Sequence, residues 1–244
     1  MHVIKHDYTT KIMIREALEK VISEDLAEIW SLLSPDEKRL ITDNFVIHTF
    51  KKNQIIYAEK EEPEFLWCLL KGKVKMYKDG VGGRAQILRL YRPVQYFGYR
   101  AYFAGEPYVS SVAAFEPSTL GSIPMTVVCE LIRSNNGIAW FFIRDLSRNL
   151  GGSDTKVVNL TQKHIRGRLA EALIVLKDNY GYEDDNSTLR IYMAREDLAN
   201  LSNMTTSNAI RTLSGFVNEK IIIVDGRKIK IINEPMLRKI SKFG

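Results

Sequence analysis

The part of this sequence that most constrains the fold is REDLANLSNMTTSNAIRTLSGF, which runs from Arg195 to Phe216. Its first half places Leu198 and Leu201 at helical spacing, and Asn203, a residue that tolerates a left-handed backbone, is expected to end that helix. Thr205 is suited to cap a second helix. The apolar residues of the second helix, which are expected to face inwards, are Ala209, Ile210, Leu213 and Phe216. The pattern predicts a helix-turn-helix.

The other side of the second predicted helix is polar. Its hydroxyl, amide and guanidinium groups are suited to hydrogen bonding with base edges and phosphates. The residues that we expect to contact DNA are Thr205, Thr206, Ser207, Asn208 and Arg211. An ordinary helical hairpin with a polar outer face is the alternative interpretation of the same pattern.

Two β-rich runs, IIIVDGRKIKII, follow the motif and surround Asp225-Gly226. An Asp-Gly pair between such runs is a strong signal of a β-hairpin, and a helix-turn-helix followed by a hairpin is a winged helix. We expect Lys228 and Lys230 of this wing to meet phosphates. Residues 190–244 hold 10 Lys or Arg and 5 Asp or Glu, a net charge of +5, whereas the whole chain is +6. Neutralisation of DNA phosphates requires such a local basic excess.

The sequence before the motif is helical, then β-rich, then helical again. Near the N-terminus Ile12, Ile14 and Leu18 fall on a helical pattern. Short β-like runs separated by turn signals, typical of a β-sandwich or roll, extend from Phe45 to about Ile123, and helical patterns return after Pro124. The expected domains are N-terminal helices at 1–42, a β-roll at 43–125, a dimerisation helix and linker at 126–182, and the winged helix-turn-helix at 188–244. The predicted fold class is α+β, with a cupin-like double-stranded β-helix as the roll.

A heptad seam lies in the helical part before the linker. Its apolar members are Ile143, Leu146, Leu150, Val157 and Leu160. A seam of this length indicates a dimer coiled coil, and winged-helix proteins bind paired half-sites that a two-fold axis supplies. A monomeric core helix shows the same spacing. Gly151-Gly152 weakens the helix by on the order of 1 kcal/mol per Gly relative to Ala.

Composition and motifs exclude several other classes of protein. No apolar run reaches the roughly 20 residues that span a bilayer, and the N-terminus lacks the pattern of a signal peptide, so we expect a soluble cytoplasmic protein. Cys68 and Cys129 show no metal-ligand spacing, and no metal site is predicted. We find no metal-binding His cluster, phosphate loop or nucleophile motif, so no catalytic residue is assigned and an enzyme is not expected.

The order of these parts resembles the Crp/Fnr superfamily of bacterial transcription regulators over about residues 26 to 237. The early roll (IIYAEKEEPEFLWCLLKGKVKMY), the effector cradle (YFGYRAYFAGEP), the long helix with the short helix after it (LGGSDTKVVNL, GRLAEAL) and the motif above carry the resemblance. It implies a β-roll like a cyclic-nucleotide-binding domain. It also implies a homodimer that binds a near-palindromic operator and meets RNA polymerase.

The cradle departs from the cyclic-AMP-responsive members of that family. Their Gly-Glu and Arg-Ser pairs correspond here to Gly98-Tyr99 and Tyr108-Val109, so the cation for a cyclic phosphate is missing. Arg100 and Arg84 are neighbouring cations that could replace it. The resemblance places the candidate effector pocket at Phe97, Gly98, Tyr99, Arg100, Tyr108, Ser110, Ser153 and Asp154. We therefore expect an effector other than cyclic AMP, or none.

The same resemblance raises other possible effectors and functions, which the residues allow us to weigh. An iron–sulfur cluster needs about four clustered thiolates, which two distant cysteines do not provide. Haem is an alternative because His48 or His164 could ligate iron, and a ligand-binding module that acts on a protein partner is another. Many relatives begin the second motif helix with Arg-Glu, whereas this chain has Thr206-Ser207, so a different half-site is expected.

Overall fold

The computed structural model of the chain describes residues 19–24 and 26–243. Ile12, Ile14 and Leu18 therefore lie outside the described residues. Residues 19–24 are helical, and two short helices follow, α1 (Ala27–Trp30) and α2 (Pro35–Asn44). Ser34 caps α2 with a reciprocal pair of hydrogen bonds, because its hydroxyl accepts from the Glu37 amide and the Glu37 carboxylate accepts from the Ser34 amide.

Eight strands form the predicted β-roll. They are β1 (Val46–Phe50), β2 (Ile55–Tyr57), β3 (Phe65–Lys71), β4 (Val74–Asp79), β5 (Ala85–Tyr91), β6 (Tyr96–Phe97), β7 (Ser111–Ala114) and β8 (Ser118–Pro124). One sheet has the order β1-β8-β3-β6 and the other β2-β7-β4-β5. Strand β8 is central to the first sheet, where it pairs antiparallel with both β1 and β3. The α+β class and the β-roll are thus confirmed.

A glycine fixes the turn between β3 and β4. Gly72 has a φ of +92°, and a Cβ there would lie 2.4 Å from the Ser118 hydroxyl and 2.6 Å from the Pro117 carbonyl oxygen. The Ser118 hydroxyl fills that space and donates to the Lys73 carbonyl. Only glycine combines this backbone conformation with this close approach.

One helix lies within the roll, between β6 and β7, and three more connect the roll to the motif. They are α3 (Tyr99–Ala104), α4 (Met125–Ser134), α5 (Asn136–Gln162) and α6 (Ile165–Tyr180). The helical pattern predicted after Pro124 is confirmed, and α5 is the long helix. Cys68 is buried in the apolar core of the roll, as expected of a small core residue.

The C-terminal part contains the predicted winged helix. Its elements are α7 (Arg195–Leu201), α8 (Thr206–Asn218), β9 (Ile222–Asp225), β10 (Lys228–Ile231) and α9 (Glu234–Phe243). Helix α9 was not predicted from the sequence. It buries Leu237 and Ile240, and it is joined to α6 by ion pairs of Lys177 with Glu234 (3.1 Å) and Arg238 with Asp178 (3.2 Å).

The chain divides into two compact units. The first contains residues up to Met76 together with Leu90–Arg148, which include most of the roll. The second contains Tyr77–Arg89, the outer part of the β4-β5 hairpin, together with Asn149–Gly244.

Candidate nucleic-acid interface and effector site

The turn of the helix-turn-helix has the predicted backbone. Helix α7 ends at Leu201, and Asn203 has a φ of +50°, the left-handed conformation expected of it. The Thr205 hydroxyl accepts from the Asn208 amide at 3.2 Å, so the predicted N-cap of α8 is confirmed.

The prediction that Ile210 faces inwards on α8 was wrong. Ala209, Leu213 and Phe216 are buried as expected, but the Ile210 residue is 47% exposed. The three buried residues follow one another at spacings of four and three, which is one stripe of an α-helix. Ile210 is one residue, or about 100°, away from that stripe. Its exposed side chain therefore adds an apolar group to the outer side of α8.

The outer side of α8 presents the predicted polar groups. Thr206, Ser207 and Arg211 are exposed, and Asn208 is half-buried beside the cap. The N-terminal end of a helix carries unpaired amide groups and a partial positive charge, which attract phosphates. This surface therefore offers hydroxyls, an amide and a guanidinium group for contact with a polyanion.

The wing is a tight hairpin attached to α7. Strands β9 and β10 pair antiparallel from Asp225 opposite Lys228 to Ile222 opposite Ile231. The loop consists of Gly226, whose φ is +55°, and Arg227. The Arg195 guanidinium donates to the Gly226 carbonyl at 2.7 Å, which fixes the tip of the wing to the start of α7.

The two wing lysines have partners within the chain. The Lys228 ammonium lies 5.6 Å from the centre of the Tyr192 ring, and the Lys230 ammonium pairs with the Asp185 carboxylate at 2.9 Å. Hydrogen bonds from the Thr188 hydroxyl and amide, and then from Lys230, hold the pKa of Asp185 far below its usual range. Asp185 thus ties the segment before α7 to the wing.

The outer part of the β4-β5 hairpin contacts the helix-turn-helix, which the sequence analysis missed. The Arg84 guanidinium donates to the side-chain oxygen of Asn203 at 2.9 Å. The Gln86 amide donates to the Leu201 carbonyl at 3.4 Å. Both contacts join residues more than 110 positions apart, so no local pattern could have revealed them. Arg84, expected near an effector, instead lies at the turn of the motif.

The heptad seam is exposed at three of its five predicted positions. Ile143, Leu150 and Val157 are 48%, 65% and 61% exposed, and they follow one another at intervals of seven residues. Leu146 packs against the core of the roll instead, and Leu160 is half-buried. The long helix therefore carries an apolar stripe on its surface.

The cradle in the first unit is filled by its own side chains. The Tyr108 ring stacks on Tyr57 with 3.7 Å between ring centres, and Phe97 contacts Tyr91 at 4.7 Å. Burial raises the pKa of Tyr108 well above its ordinary value, with help from nearby carboxylates. These rings belong to one buried core cluster. Phe97 and Tyr108, predicted to line a pocket, are therefore core residues.

The other predicted cradle residues have structural partners as well. Gly98 has a φ of +94°, and a Cβ there would lie 2.7 Å from the Phe65 carbonyl oxygen. The Tyr99 hydroxyl donates to the Asp145 carboxylate. Arg100 pairs with Glu106 at 2.8 Å, and Ser110 is buried. Arg100 is thus already paired with a carboxylate.

A cavity of about 690 Å³ lies in the first unit. Its apolar lining includes Phe65, Tyr102 and Met125, and its acidic lining includes Glu62 and Glu64. None of the residues predicted for the effector pocket lines it. Tyr102, Gly105 and Glu106 of the cradle segment 96–107 do line it, so the cavity borders the cradle.

Ser153 and Asp154 belong to the second unit, where the structure shows two cations that the sequence analysis missed. The Arg89 guanidinium donates to the Ser153 hydroxyl and to the Asn149 carbonyl, both at 3.1 Å. The Lys156 ammonium donates to the carbonyls of residues 87 and 88 at 3.0 and 2.8 Å. Asp154 is exposed. The charged Arg89 in the otherwise β-like run QILRLY was the signal available in the sequence.

The candidate metal ligands are separated in the structure. His48 Nε2 shares a hydrogen bond of 2.9 Å with the Ser122 hydroxyl, and His164 is an exposed residue just before α6. Neither Cys68 nor Cys129 is part of a disulfide. Across residues 19–24 and 26–243, no three His, Cys, Asp or Glu residues are grouped so that they could hold a metal ion. No helix in that part of the chain has the length and apolarity to span a membrane.

Comparison with known proteins agrees with this architecture, a cyclic-nucleotide-type roll followed by a winged helix-turn-helix. A family model of the cyclic nucleotide-binding domain matches residues 47–135, and a model of the Crp-like helix-turn-helix domain matches residues 167–240. The second match includes α6, which lies before the boundary at residue 188 predicted from the sequence.

Individual relatives match along most of the chain. The CRP-like cAMP-activated global transcriptional regulator of Mycobacterium tuberculosis is 22% identical over 218 residues, which cover 88% of this chain and 97% of the relative. The global nitrogen regulator of a Nostoc species is 24% identical over 190 residues, or 76% of this chain and 85% of the relative. FixK2 from Bradyrhizobium japonicum superposes with a TM-score of 0.73 at 20% identity and covers 81% of this chain and 97% of its own.

These matches and the fold define a DNA-binding protein with a ligand-binding type of roll. The chain belongs to the Crp/Fnr family of transcription regulators. Its relatives are regulators and not enzymes.

Proposed function

We propose that this protein regulates transcription as a homodimer that binds a near-palindromic operator and meets RNA polymerase. One observation carries the proposal: α8 is capped by Thr205 and turns Thr206, Ser207 and Arg211 outwards, next to a wing with two lysines. Side chains at such positions read base edges, and Lys228, which forms no ion pair among the described residues, is placed to neutralise a phosphate, whereas Lys230 would have to leave Asp185 to do so. The operator half-site differs from that of relatives with Arg-Glu at the start of this helix.

The dimer is supported by the exposed stripe of the heptad seam on α5. Leu150 and Val157 are large apolar side chains and are more exposed than most such residues in the chain. Burial of this stripe against a second copy of α5 would remove apolar surface from water on both copies. The two-fold axis would then present two α8 helices to the two half-sites.

The proposed effector is a molecule other than cyclic AMP. The pair at the position of the phosphate-binding Arg-Ser is Tyr108-Val109, and Tyr108 is packed on Tyr57 within the core. A cyclic phosphate needs a cation or several donors to replace its lost hydration. The cation closest in sequence, Arg100, is paired with Glu106. These contacts argue against a cyclic nucleotide in the cradle.

The test is selection of operators from a random DNA pool by the purified full-length protein, followed by binding titrations at several salt concentrations. We expect a symmetric consensus bound at least about 1000-fold more tightly than random duplex at the same salt. Equal affinity for selected and random duplex would contradict the proposal. Sedimentation of the complex gives the number of protein chains on each operator.

A further inference from the structure

Two basic residues in the second unit, Arg89 on β5 and Lys156 on α5, are not neutralised by a carboxylate. Their hydrogen bonds go to backbone carbonyls and to the Ser153 hydroxyl, and among the described residues neither forms an ion pair. Other cations of this unit do form such pairs: Lys163, Arg166, Lys177, Lys230 and Arg238. Arg84 and Arg195 of the same unit also lack a carboxylate partner in the described part of the chain, and what sets Arg89 and Lys156 apart is that two such cations lie close together and that Lys156 is partly buried.

The two cations approach each other from facing elements. Lys156 binds the carbonyls of Ile87 and Leu88, and the next residue of β5 is Arg89 itself. Arg89 reaches back to Ser153, which precedes Lys156 by about one helical turn. Burial and then the charge of Arg89 lower the pKa of Lys156 to about 8. Two like charges held together and partly removed from water are unfavourable unless an anion joins them.

Donors remain available for such an anion. An ammonium has three N–H groups, and two of those on Lys156 bind carbonyls. The Arg89 bonds use its Nη2, which leaves the Nε and Nη1 groups of the guanidinium without a protein acceptor among the described residues. A guanidinium and an ammonium side by side match the oxygens of a phosphate or a carboxylate.

We propose that Arg89 and Lys156 form an anion-binding site, and that the effector of this regulator carries a phosphate or carboxylate group held there. The proposal deepens the function proposed above and rests on it only for the link to transcription. The binding of the anion itself is independent of that function.

The β4-β5 hairpin also connects this site to the helix-turn-helix. Arg89 lies at one end of the segment 77–89, whose Arg84 and Gln86 bind the motif at Asn203 and Leu201. An anion between Arg89 and Lys156 would tighten the contact of this hairpin with α5. Since the hairpin also holds the turn before α8, occupancy of the site would change the stability of that turn and the affinity for DNA.

The experiment measures thermal unfolding of the full-length protein in inorganic phosphate and in succinate, each against chloride at equal ionic strength. We expect a saturable rise in Tm of about 3 °C or more with at least one of the two. A response to phosphate alone or to succinate alone identifies the chemical class of the effector. The absence of a saturable response to either would overturn the proposal.

Variants distinguish an anion-binding role of Arg89 and Lys156 from a purely structural role. Arg89→Gln and Lys156→Met should abolish the response, whereas Arg148→Gln, which alters an exposed arginine on the same helix, should retain it. Without added anion, Lys156→Met should leave Tm unchanged or raise it, because a partly buried charge is removed. A marked fall in its Tm with an unchanged response to anions would assign Lys156 a structural role and overturn the proposal.

The two proposals fail in different ways. Operator binding without any anion response overturns the anion site and leaves the regulator function standing. An anion response without sequence-specific DNA binding overturns the regulator function and leaves the anion site standing. For the link between them, operator affinity should change at least about threefold with saturating anion in the unaltered protein and should not change in Arg89→Gln.

Discussion

Arg211 is the residue of α8 best placed to contribute to DNA affinity by itself. It is exposed on the outer side of the helix, less than two turns from the Thr205 cap. We predict that Arg211→Ala weakens operator binding by about 1–3 kcal/mol, because a guanidinium contact with a base or phosphate is lost. Titrations at fixed salt measure this change. Arg190→Ala, which removes an equally charged exposed residue of the same unit, is the control and should cost much less.

Asp185 makes stability depend on acidic pH. Its pKa is lowered by Thr188 and Lys230, so its stabilising effect is complete above the unfolded-state value near 3.8 and is lost as the pH falls through and below it. We predict that Asp185→Asn lowers Tm at pH 7 and that its deficit against the unaltered protein shrinks below about pH 5. Asp184→Asn changes a fully exposed neighbour and should show no such convergence. A deficit constant from pH 7 to 3 would contradict this assignment.

At the scale of elements, the β4-β5 hairpin and the helix-turn-helix are predicted to stabilise each other through Arg84 and Asn203. Asn203→Gly keeps the left-handed backbone and removes only the acceptor, so it is the appropriate partner for Arg84→Ala in a double-mutant cycle. We expect a coupling free energy of about 0.5–1.5 kcal/mol in unfolding. Additive effects of the two substitutions would mean that this contact contributes nothing.

Gly151 and Gly152 weaken the long helix at a place where a side chain has room. No heavy atom lies within 4 Å of a Cβ built at either position. We predict that Gly151→Ala raises the free energy of unfolding by about 1 kcal/mol, as expected for an exposed helix interior. Gly72→Ala is the opposite control and should lower it, since its Cβ would meet Ser118. A loss of stability in Gly151→Ala, together with weaker self-association, would place a partner's backbone against this glycine.

The elements differ in how far the sequence predicted them, for physical reasons. The turn at Asn203, the cap at Thr205 and the wing follow from local chemistry, so the sequence located them. A heptad pattern does not distinguish a core face from a dimer face, which is why Leu146 was assigned to the seam although it packs in the roll. The Arg89 contacts join β5 to α5 across 60 and 64 residues, and no spacing within either element records them.

At the scale of the whole molecule, the seam should control oligomeric state. We predict that Leu150→Glu converts the dimer to a monomer, because burial of one such leucine contributes roughly 1.5–3 kcal/mol and a two-fold interface contains it twice. Analytical ultracentrifugation across a range of concentrations measures the change. Thr155→Glu introduces the same charge on the same helix away from the seam and should leave the dimer intact. An unaltered protein that sediments as a monomer would refute the assignment of the seam.

Two contacts hold the wing in place. Arg195 binds the tip at Gly226, and Asp185 pairs with Lys230 on β10. These contacts keep the wing beside α7, and we expect the wing and α8 to approach a half-site together. Each base pair inserted between two half-sites displaces one of them by about 3.4 Å and rotates it by roughly 35° about the DNA axis. Natural operators of this protein should consequently share one fixed spacer length, even where the sequence of the spacer varies.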